Sequence, residues 1–384
     1  MADEKISQLP VGKPPAGAEI GPFVQSGTTV SLSAKQVGNL GPYTNVTAYG
    51  ATGNGTTDDH VAIQNAINAA GNGGTVLLPA TPNNGSYLVG ATITIPYQYF
   101  TLRGERGSGL TLANKVNAPM FLVGDAVGNT QRNGVRLIGF SISGNAANQS
   151  GSAPMIDVLG VDDFFADHLY LYQPRGSAIR IGSAGTASCT NPYVTNCLIR
   201  GDATNSQGSG IELDYRATDC EVRGNDVGWF HNAPGIVLSG GSGSHAVDNK
   251  VWQCKHGMQL YAANRARVDT CLADNSDLYG LLVQNSSDVQ LSNCSARESS
   301  LSSHGTYEGI HIEGASGAPA QDISVMGCRS MGTYATYGIV VSQYANNVSI
   351  VGGSYRGNLT DAALLAGPGV SSVRVVAAQG IIDQ

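Results

Sequence analysis

The sequence predicts an all-β protein built as a solenoid of stacked coils, and three observations predict it. The 384-residue chain contains 51 Gly and only 13% charged residues, a composition typical of short strands joined by tight turns. A strand-like phrase recurs along the chain, and a second phrase recurs in phase with it. Long helical periodicity is almost absent, so we expect one elongated all-β unit.

The first repeated phrase consists of a small residue, an inward aliphatic residue, and then outward and inward residues in alternation, as in SGIELD at 209–214. Its successive inward positions lie 22 to 32 residues apart. These positions are Ile179, Ile211, Ile236, Met258, Leu281, Ile310 and Ile339. One repeat of this length cannot close a core alone, so the coils must stack. Three short strands per coil, wound right-handedly, give a right-handed parallel β-helix.

The second phrase has a cysteine at one point of several coils. The cysteines are Cys197, Cys271, Cys294 and Cys328. Single thiols on separate coils give poor tetrahedral geometry for a metal, so we interpret them as packing residues, with Asn196 and Asn293 bonding from coil to coil. The sequence therefore predicts no metal site and no cofactor. With seven cysteines and no apolar leader, we expect free thiols made in a reducing cytoplasm.

One helix is predicted at about residues 57–70. Thr57 or Asp58 can cap its N-terminus, Gly71 ends it, and its apolar residues follow helical spacing. A single amphipathic helix before the first coil suits the open end of a β-helix, where it covers the core. Asp58, Asp59 and His60 are therefore predicted to have a capping role.

Charge and hydropathy exclude two classes of partner. The formal net charge is −7 and no basic run occurs, which argues against nucleic acid as a ligand. The sequence has no run of 18 apolar residues that could span a membrane.

A family resemblance follows from residues 45–79, NVTAYGATGNGTTDDHVAIQNAINAAGNGGTVLLP, together with GSYLVGATITIP and the TLRG of 101–104. This opening resembles that of pectate-lyase-like β-helix proteins, a group of lyases, hydrolases, epimerases and bacteriophage tailspikes. The resemblance spans about residues 45–360. It implies the fold but not the reaction, because the opening is mostly the cap and the first coils.

The first 44 residues are similar to the segment that begins many phage tail fibres and tailspikes. The shared pattern stands here at residues 5–10, 19–20, 22–28 and 33–40. The resemblance implies a virion-attachment segment at 1–44, bound to a tail or baseplate protein, and a receptor-binding and catalytic β-helix at 45–360. It also implies a side-by-side homotrimer that acts on a bacterial surface polysaccharide. Residues 361–384 form a short C-terminal tail, too short for the large trimerisation domain of many tailspikes.

Two outward carboxylates, Glu212 and Asp214, alternate with inward aliphatic residues in one predicted strand. Stacking the coils sets Asp157, Arg180 and Glu212 in one row. Backbone spacing separates Glu212 from Asp214 by about 6.6 Å and Asp157 from Glu212 by about 9.6 Å. Both values are near the range of about 6.5–9.5 Å for inverting glycoside hydrolysis, so Glu212, Asp214 and Asp157 are the catalytic candidates. The alternative is a surface ion-pair ladder of little energetic value.

Aromatic and charged side chains on nearby coils are predicted to hold the sugar, since aromatic faces pack against sugar C–H surfaces. The predicted substrate-binding residues are Arg180, Trp229, His231, Tyr170, Tyr172, Tyr261, His311 and Glu313. Tyr170, Tyr172 and Tyr261 are expected to form one row, and the alternative for Trp229 is a buried loop anchor. His311 and Glu313 belong to a second cluster, about 19 Å from Glu212, which is either the active site or a distant part of one groove.

Three functions remain open at this point. Hydrolysis of a capsule or O-antigen by two carboxylates is the leading prediction. A polysaccharide lyase would need a base beside a uronic acid, for which Arg180, Tyr170 or Tyr172 could serve. A non-cleaving receptor-binding spike would use Glu212 and Asp214 only to hydrogen-bond glycan hydroxyls. The sequence does not name the host or the polysaccharide.

Overall fold

The structure, a computed structural model, describes residues 20–25, 28–33, 43–82, 85–125, 127, 129–332, 334–360, 363–365, 367–376 and 378–379. Within these ranges the chain winds through three long parallel sheets, which we call sheets 1, 2 and 3 in the order in which each coil visits them. Successive strands of each sheet come from successive coils. The predicted parallel β-helix is confirmed.

The strand bounds show the regularity of the coils. Sheet 1 contains Thr44–Asn45, Thr75–Leu78, Thr101–Gly104, Arg136–Ile138, Phe165–Asp167, Tyr193–Thr195, Glu221–Arg223, His245–Val247, Arg267–Asp269, Ser287–Ser292, Ala320–Met326, Ala345–Val351 and Ser371–Val376. Sheet 2 contains Tyr87–Val89, Gly109–Leu112, Ser141–Ser143, Tyr170–Tyr172, Leu198–Arg200, Asp226–Phe230, Lys250–Cys254, Leu272–Asp274, Ser295–Arg297 and Arg329–Met331. Sheet 3 contains Ile93–Ile95, Phe121–Gly124, Ile156–Leu159, Ile179–Ile181, Ile211–Leu213, Ile236–Ser239, Met258–Tyr261, Leu281–Gln284, Ile310–Glu313, Ile339–Val341 and Ala363–Leu365.

Shorter elements complete the described chain. Two small parallel pairs join Arg132–Asn133 to Val161–Asp162 and Cys189–Thr190 to Ala217–Thr218. The 3₁₀ helices are Val46–Tyr49 and Ala146–Asn148.

Aliphatic side chains stack along the inside of sheet 3 and form one side of the core. The predicted inward residues all have zero exposure and pair in register from coil to coil. Burial of each such side chain contributes about 1.5–3 kcal/mol, which favours stacking over isolated coils. Because this interior is filled, polar side chains that could bind ligands lie on the outer faces and in the turns.

The turn between sheets 1 and 2 contains a buried polar ladder. Asn225 Nδ2 donates to Asn249 Oδ1 at 3.0 Å, and Asn225 Oδ1 accepts the Cys197 N–H at 2.9 Å. Asn225 and Asn249 occupy the cysteine position of their coils. Asn196 and Asn293 also bond from coil to coil, as predicted: Asn196 Nδ2 donates to Asp167 Oδ1 at 3.1 Å, and Asn293 Nδ2 donates to Asp269 Oδ1 at 3.3 Å. All seven cysteines are free and buried, in agreement with a packing role.

The cap helix runs from His60 to Ala70 and buries Ile63, Ala66 and Ile67 against the first coil. Its N-cap is Asp59, one or two residues later than predicted. The Asp59 carboxylate accepts the backbone N–H groups of Thr52 and Gly53 and is buried, which supports a structural role.

The ends of the chain differ from the predicted boundaries in one respect. Strands Ala363–Leu365 and Ser371–Val376 pair in parallel with the preceding coil, so coil stacking continues past residue 360 into the predicted tail. Near the N-terminus, Ile20–Gln25 pairs antiparallel with Thr28–Ser33. Residues 1–19, 26–27 and 34–42 of the predicted attachment segment lie outside the described residues, and Thr44 already begins the first strand of sheet 1.

Candidate active site

Sheet 3 presents the predicted carboxylates on its outer face. Asp157 pairs in register with Arg180, and Arg180 pairs with Glu212 on the following coil. The same outward position continues through Val237, Gln259, Leu282, His311 and Val340. The predicted row is therefore present, with neighbouring members about 4.8 Å apart along the backbone.

Asp157 and Arg180 form a close ion pair at the start of this row. Arg180 Nη2 donates to Asp157 Oδ2 at 2.9 Å, and Arg180 Nε donates to Oδ1 at 3.2 Å. Burial alone lowers the pKa of the Arg180 guanidinium, but the hydrogen bond and charge of Asp157, with the charges of Glu212 and Asp214, outweigh burial and raise that pKa. One permanent cation thus faces three carboxylates.

Glu212 is fixed by a buried serine. Ser177 Oγ donates to Glu212 Oε2 at 2.5 Å, and Ser177 Oγ itself accepts the Ser209 N–H at 3.1 Å. Because the amide occupies a lone pair of the hydroxyl, the hydroxyl proton points to the carboxylate. Ser177 is the small residue that begins the repeated phrase of its coil, a signal that could have identified it as a partner of Glu212.

Asp214 directly follows the strand Ile211–Leu213, and its backbone N–H still donates to Ile181 O of the preceding coil at 2.8 Å. The charges of Asp214 and Glu212 both act on Arg180, which places the two carboxylates around one cation. Asp214 Oδ1 accepts the Tyr215 N–H at 2.8 Å. Both Glu212 and Asp214 are half-buried, whereas the Asp157 side chain is only 9% exposed. Glu212 and Asp214 are therefore the members of the trio that solvent and a bound sugar can reach most readily.

Trp229 and His231 lie away from this face. Trp229 belongs to sheet 2, where it packs edge-on against Trp252 and donates its indole N–H to Gln253 Oε1 at 2.6 Å. Its 40% exposure excludes the buried loop anchor. His231 lies at the corner between sheets 2 and 3, with Nδ1 2.7 Å from Asp277 Oδ2 two coils away.

The predicted tyrosine row is wrong. Tyr170 and Tyr172 belong to sheet 2, with ring centroids 5.2 Å apart, whereas Tyr261 ends a strand of sheet 3. The error arises because the alternation of HLYLYQ gives the phase of a strand but not the sheet to which the strand belongs. Tyr170 and Tyr172 therefore cannot supply the base of a lyase centred on Arg180.

The second cluster is on sheet 3, four coils from Glu212 as predicted. His311 Nδ1 lies 2.7 Å from Glu308 Oε2, and its Nε2 lies 3.0 Å from Ser342 Oγ and 3.4 Å from Glu313 Oε2. The imidazole is buried, and Tyr279 packs on it with a centroid distance of 4.8 Å. The predicted contact of His311 with a sugar would need these hydrogen bonds to break.

The electrostatics of this cluster favour a fixed ion pair. Burial lowers the pKa of His311, but hydrogen bonds and charges from Glu308 and Glu313 outweigh burial and raise the pKa to about 9. The hydrogen bond from His311 in turn lowers the pKa of Glu313, against the effect of burial. Gln284 Nε2 also donates to Glu313 Oε1 at 2.5 Å. Gln259, one coil before Gln284, donates to Gln284 Oε1 at 2.6 Å. Sequence reasoning missed this glutamine ladder.

Neither a metal group nor a membrane helix was found in the described ranges. Their His, Cys, Asp and Glu side chains form no group of three or more suited to a metal ion. Among their helices, none is long and apolar enough to cross a membrane.

Comparison with family models identifies the class of protein that this fold and face define. Residues 43–262 match the model described as rhamnogalacturonase A/epimerase, pectate lyase-like, and the chain belongs to this family. Residues 167–366 match a second model, described as periplasmic copper-binding protein (NosD), so the chain also belongs to that family. The comparison with curated proteins found no match.

Solved structures with the same fold share little sequence with the chain. DFA-IIIase from Arthrobacter chlorophenolicus A6 without its lid has 14% identity and a TM-score of 0.68, with 87% of this chain and 94% of that chain covered. The bacteriophage phi29 gene product 12 N-terminal fragment has 16% identity and a TM-score of 0.63, with coverage of 88% and 67%. The Yersinia enterocolitica family 28 exopolygalacturonase has 13% identity and a TM-score of 0.57, with coverage of 91% and 77%. At these identities the likeness establishes the β-helix fold.

Proposed function

We propose that this protein is a phage tailspike that binds a bacterial surface polysaccharide and hydrolyses it at the carboxylate face of sheet 3. Membership of the pectate-lyase-like family supports a carbohydrate-active protein. The likeness to an exopolygalacturonase, and to a bacteriophage protein, agrees with this proposal. The motif similarity of residues 1–44 to phage tail segments supports a virion location, attachment to a tail or baseplate protein and a homotrimer.

One observation carries the proposal of hydrolysis: two accessible carboxylates, Glu212 and Asp214, lie around one permanent cation. Their backbone separation of about 6.6 Å is near the range for inversion, in which a water fits between the sugar and the base. Asp157 is already neutralised by Arg180, so its proposed part is to hold the guanidinium in place.

Hydrolysis by inversion needs one carboxyl group as general acid and a second as general base. We propose that Glu212 and Asp214 share these two roles: one donates its proton to the leaving glycosidic oxygen, and the other takes a proton from water. The Ser177 hydroxyl orients Glu212, and the Tyr215 N–H orients Asp214. Water attacks the anomeric carbon, the glycosidic bond breaks, and each product chain ends in a hydroxyl group. Arg180 can bind an acidic substituent of the sugar.

The experiment is digestion of purified capsule and O-antigen polysaccharides by the wild type, Glu212→Gln and Asp214→Asn. We expect the wild type to release reducing ends without unsaturated uronate, and each variant to lose about 10²–10⁴-fold in rate. Glu221→Gln is the matched control, because Glu221 is a carboxylate paired with Arg223 on sheet 1. It should cut like the wild type.

Other outcomes would select other functions. Unsaturated uronate in the product would indicate a lyase, and Arg180 would then be the residue to test. Binding of intact polysaccharide by the wild type without any cleavage would indicate a receptor-binding spike. Equal cleavage by the wild type and both variants would refute the carboxylate site.

A further inference from the structure

Sheet 2 carries a groove on a different face from the carboxylates. Its volume is about 480 Å³, within the range of about 300–1,000 Å³ that is typical of ligand sites. Tyr170 and Tyr172 form one wall, and Ser108, Ser141 and Arg106 are among its other lining residues. The function proposed above does not use this groove.

The groove exists because the side chains of successive coils change abruptly in size. Gly109 pairs in register with Ser141 on the next coil, and Ser141 pairs with Tyr170 on the coil after that, so two small residues precede a large one. A Cβ atom at position 109 would lie 2.7 Å from Ser141 Oγ, so a side chain there would fill the floor of the groove, which Gly109 and Ser141 form. Tyr170 stands above this floor with 43% exposure and stacks beside Tyr172.

The lining has the chemistry of a sugar site. Stacked tyrosine rings offer a flat apolar surface for a pyranose face, and serine hydroxyls can bond sugar hydroxyls. Ser141 lines the groove with a partly exposed side chain. Its hydroxyl donates to Ser108 O at 3.2 Å, and its oxygen can still accept a hydrogen bond from a sugar hydroxyl.

Charge selects an acidic sugar. Arg106 is exposed at the groove, and the described ion pairs do not include it. His168 is the other basic residue of the lining, although Asp167 lies 2.8 Å from its Nδ1 and offsets any charge there. The guanidinium of Arg106 is therefore the group that can pair with a sugar carboxylate, in a two-pronged geometry that suits arginine.

We infer that this groove is a second glycan site, which holds a short stretch of acidic polysaccharide through Tyr170, Tyr172 and Arg106 without cutting it. Trp229 lies on the same sheet with 40% exposure, so a chain that leaves the groove can meet another aromatic surface. Two glycan sites on separate faces would raise the overall affinity for a polymer, because binding at one raises the effective concentration at the other.

The test measures binding of trigalacturonate and of a hyaluronan tetrasaccharide to the full chain by titration calorimetry, with maltotriose as the neutral probe. We expect at least one acidic probe to bind, and the Tyr170→Ala/Tyr172→Ala double variant to bind it at least about tenfold more weakly. Arg106→Ala should weaken the acidic probe to the level of maltotriose. Ser141→Trp, which fills the floor and retains both tyrosines, should also block binding.

The matched control is Tyr193→Ala on sheet 1, which removes a ring from a similar stacked pair, Phe165 and Tyr193, with centroids 4.6 Å apart. It should bind like the wild type. The inference is overturned if neither acidic probe binds, or if binding survives both the tyrosine double variant and Ser141→Trp. Glu212→Gln separates this inference from the proposed hydrolysis, because loss of probe binding in Glu212→Gln alone would assign the binding to the carboxylate face.

Discussion

Two charged clusters occupy the same outward row of sheet 3, four coils apart, and they differ in how their charges are paired. Around Arg180, one carboxylate is ion-paired and two others, Glu212 and Asp214, remain partly exposed. Around His311, a buried imidazolium is bonded on both ring nitrogens. The first cluster has two carboxylates that substrate and water can reach, whereas the second is buried and uses its hydrogen-bonding groups internally.

The difference teaches that a position in the outward row of sheet 3 does not by itself define a reactive site. Burial makes an ion pair rigid and costly to break, whereas a half-buried carboxylate can still meet substrate and water. We therefore propose that the chemistry takes place at the Glu212 cluster and that the His311 cluster has a positioning or structural role.

The largest expected effect on stability comes from His311→Phe. This substitution leaves the buried Glu308 carboxylate without its imidazole partner, and loss of one member of a buried ion pair costs about 3–5 kcal/mol. Thermal unfolding followed by circular dichroism would detect the loss as a lower Tm. His168→Phe is the control, because that imidazole is exposed and its pairing with Asp167 contributes at most about 1 kcal/mol. A Tm for His311→Phe equal to that of the control would contradict the structural role.

Alkaline pH should weaken the same cluster in the wild type. The pKa of His311 is about 9 in the folded protein and about 6.5 for an ordinary histidine. Its stabilisation is therefore complete below about pH 6.5 and is lost as pH rises through about 9, for a total of up to about 3 kcal/mol. We expect the Tm to fall across this window, and His311→Phe to remove that part of the fall. A pH dependence unchanged by the substitution would be evidence against the buried imidazolium.

His256 should respond at the opposite end of the pH scale. Burial, with a contribution from Lys255, lowers the pKa of His256 to about 4. Since the unfolded chain binds a proton more readily, the stability due to neutral His256 is lost as pH falls from about 6.5 through 4. His256→Phe should therefore reduce the acid loss of Tm without changing the alkaline loss, and failure of this separation would refute the assignment.

A smaller effect is expected from Ser177→Ala, which leaves the Glu212 carboxylate in place without its orienting hydroxyl. We expect polysaccharide cleavage to slow by about tenfold, which corresponds to about 1.4 kcal/mol of transition-state stabilisation. Ser177→Thr, which keeps a hydroxyl, should restore part of the rate. If alanine and threonine variants both cut like the wild type, Ser177 serves packing only.

The repeated phrase was sufficient to predict the coils and the register of sheet 3, because inward aliphatics such as Ile211 and Ile236 impose a period that only stacking satisfies. The same phrase predicted the row of Asp157, Arg180 and Glu212. It could not assign Tyr170 to its sheet, since alternation looks alike in all three sheets. Nor could it show that His311 is bonded on both nitrogens, because burial of a side chain depends on neighbours from other coils.

The most direct test of this account compares Glu212→Gln with Glu313→Gln in the release of reducing ends from a polysaccharide that the wild type cuts. Both changes replace an outward carboxylate of sheet 3 by its amide, four coils apart. We predict that Glu212→Gln loses about 10²–10⁴-fold in rate and that Glu313→Gln stays within severalfold of the wild type. The reverse pattern would move the active site to the histidine cluster and contradict the account.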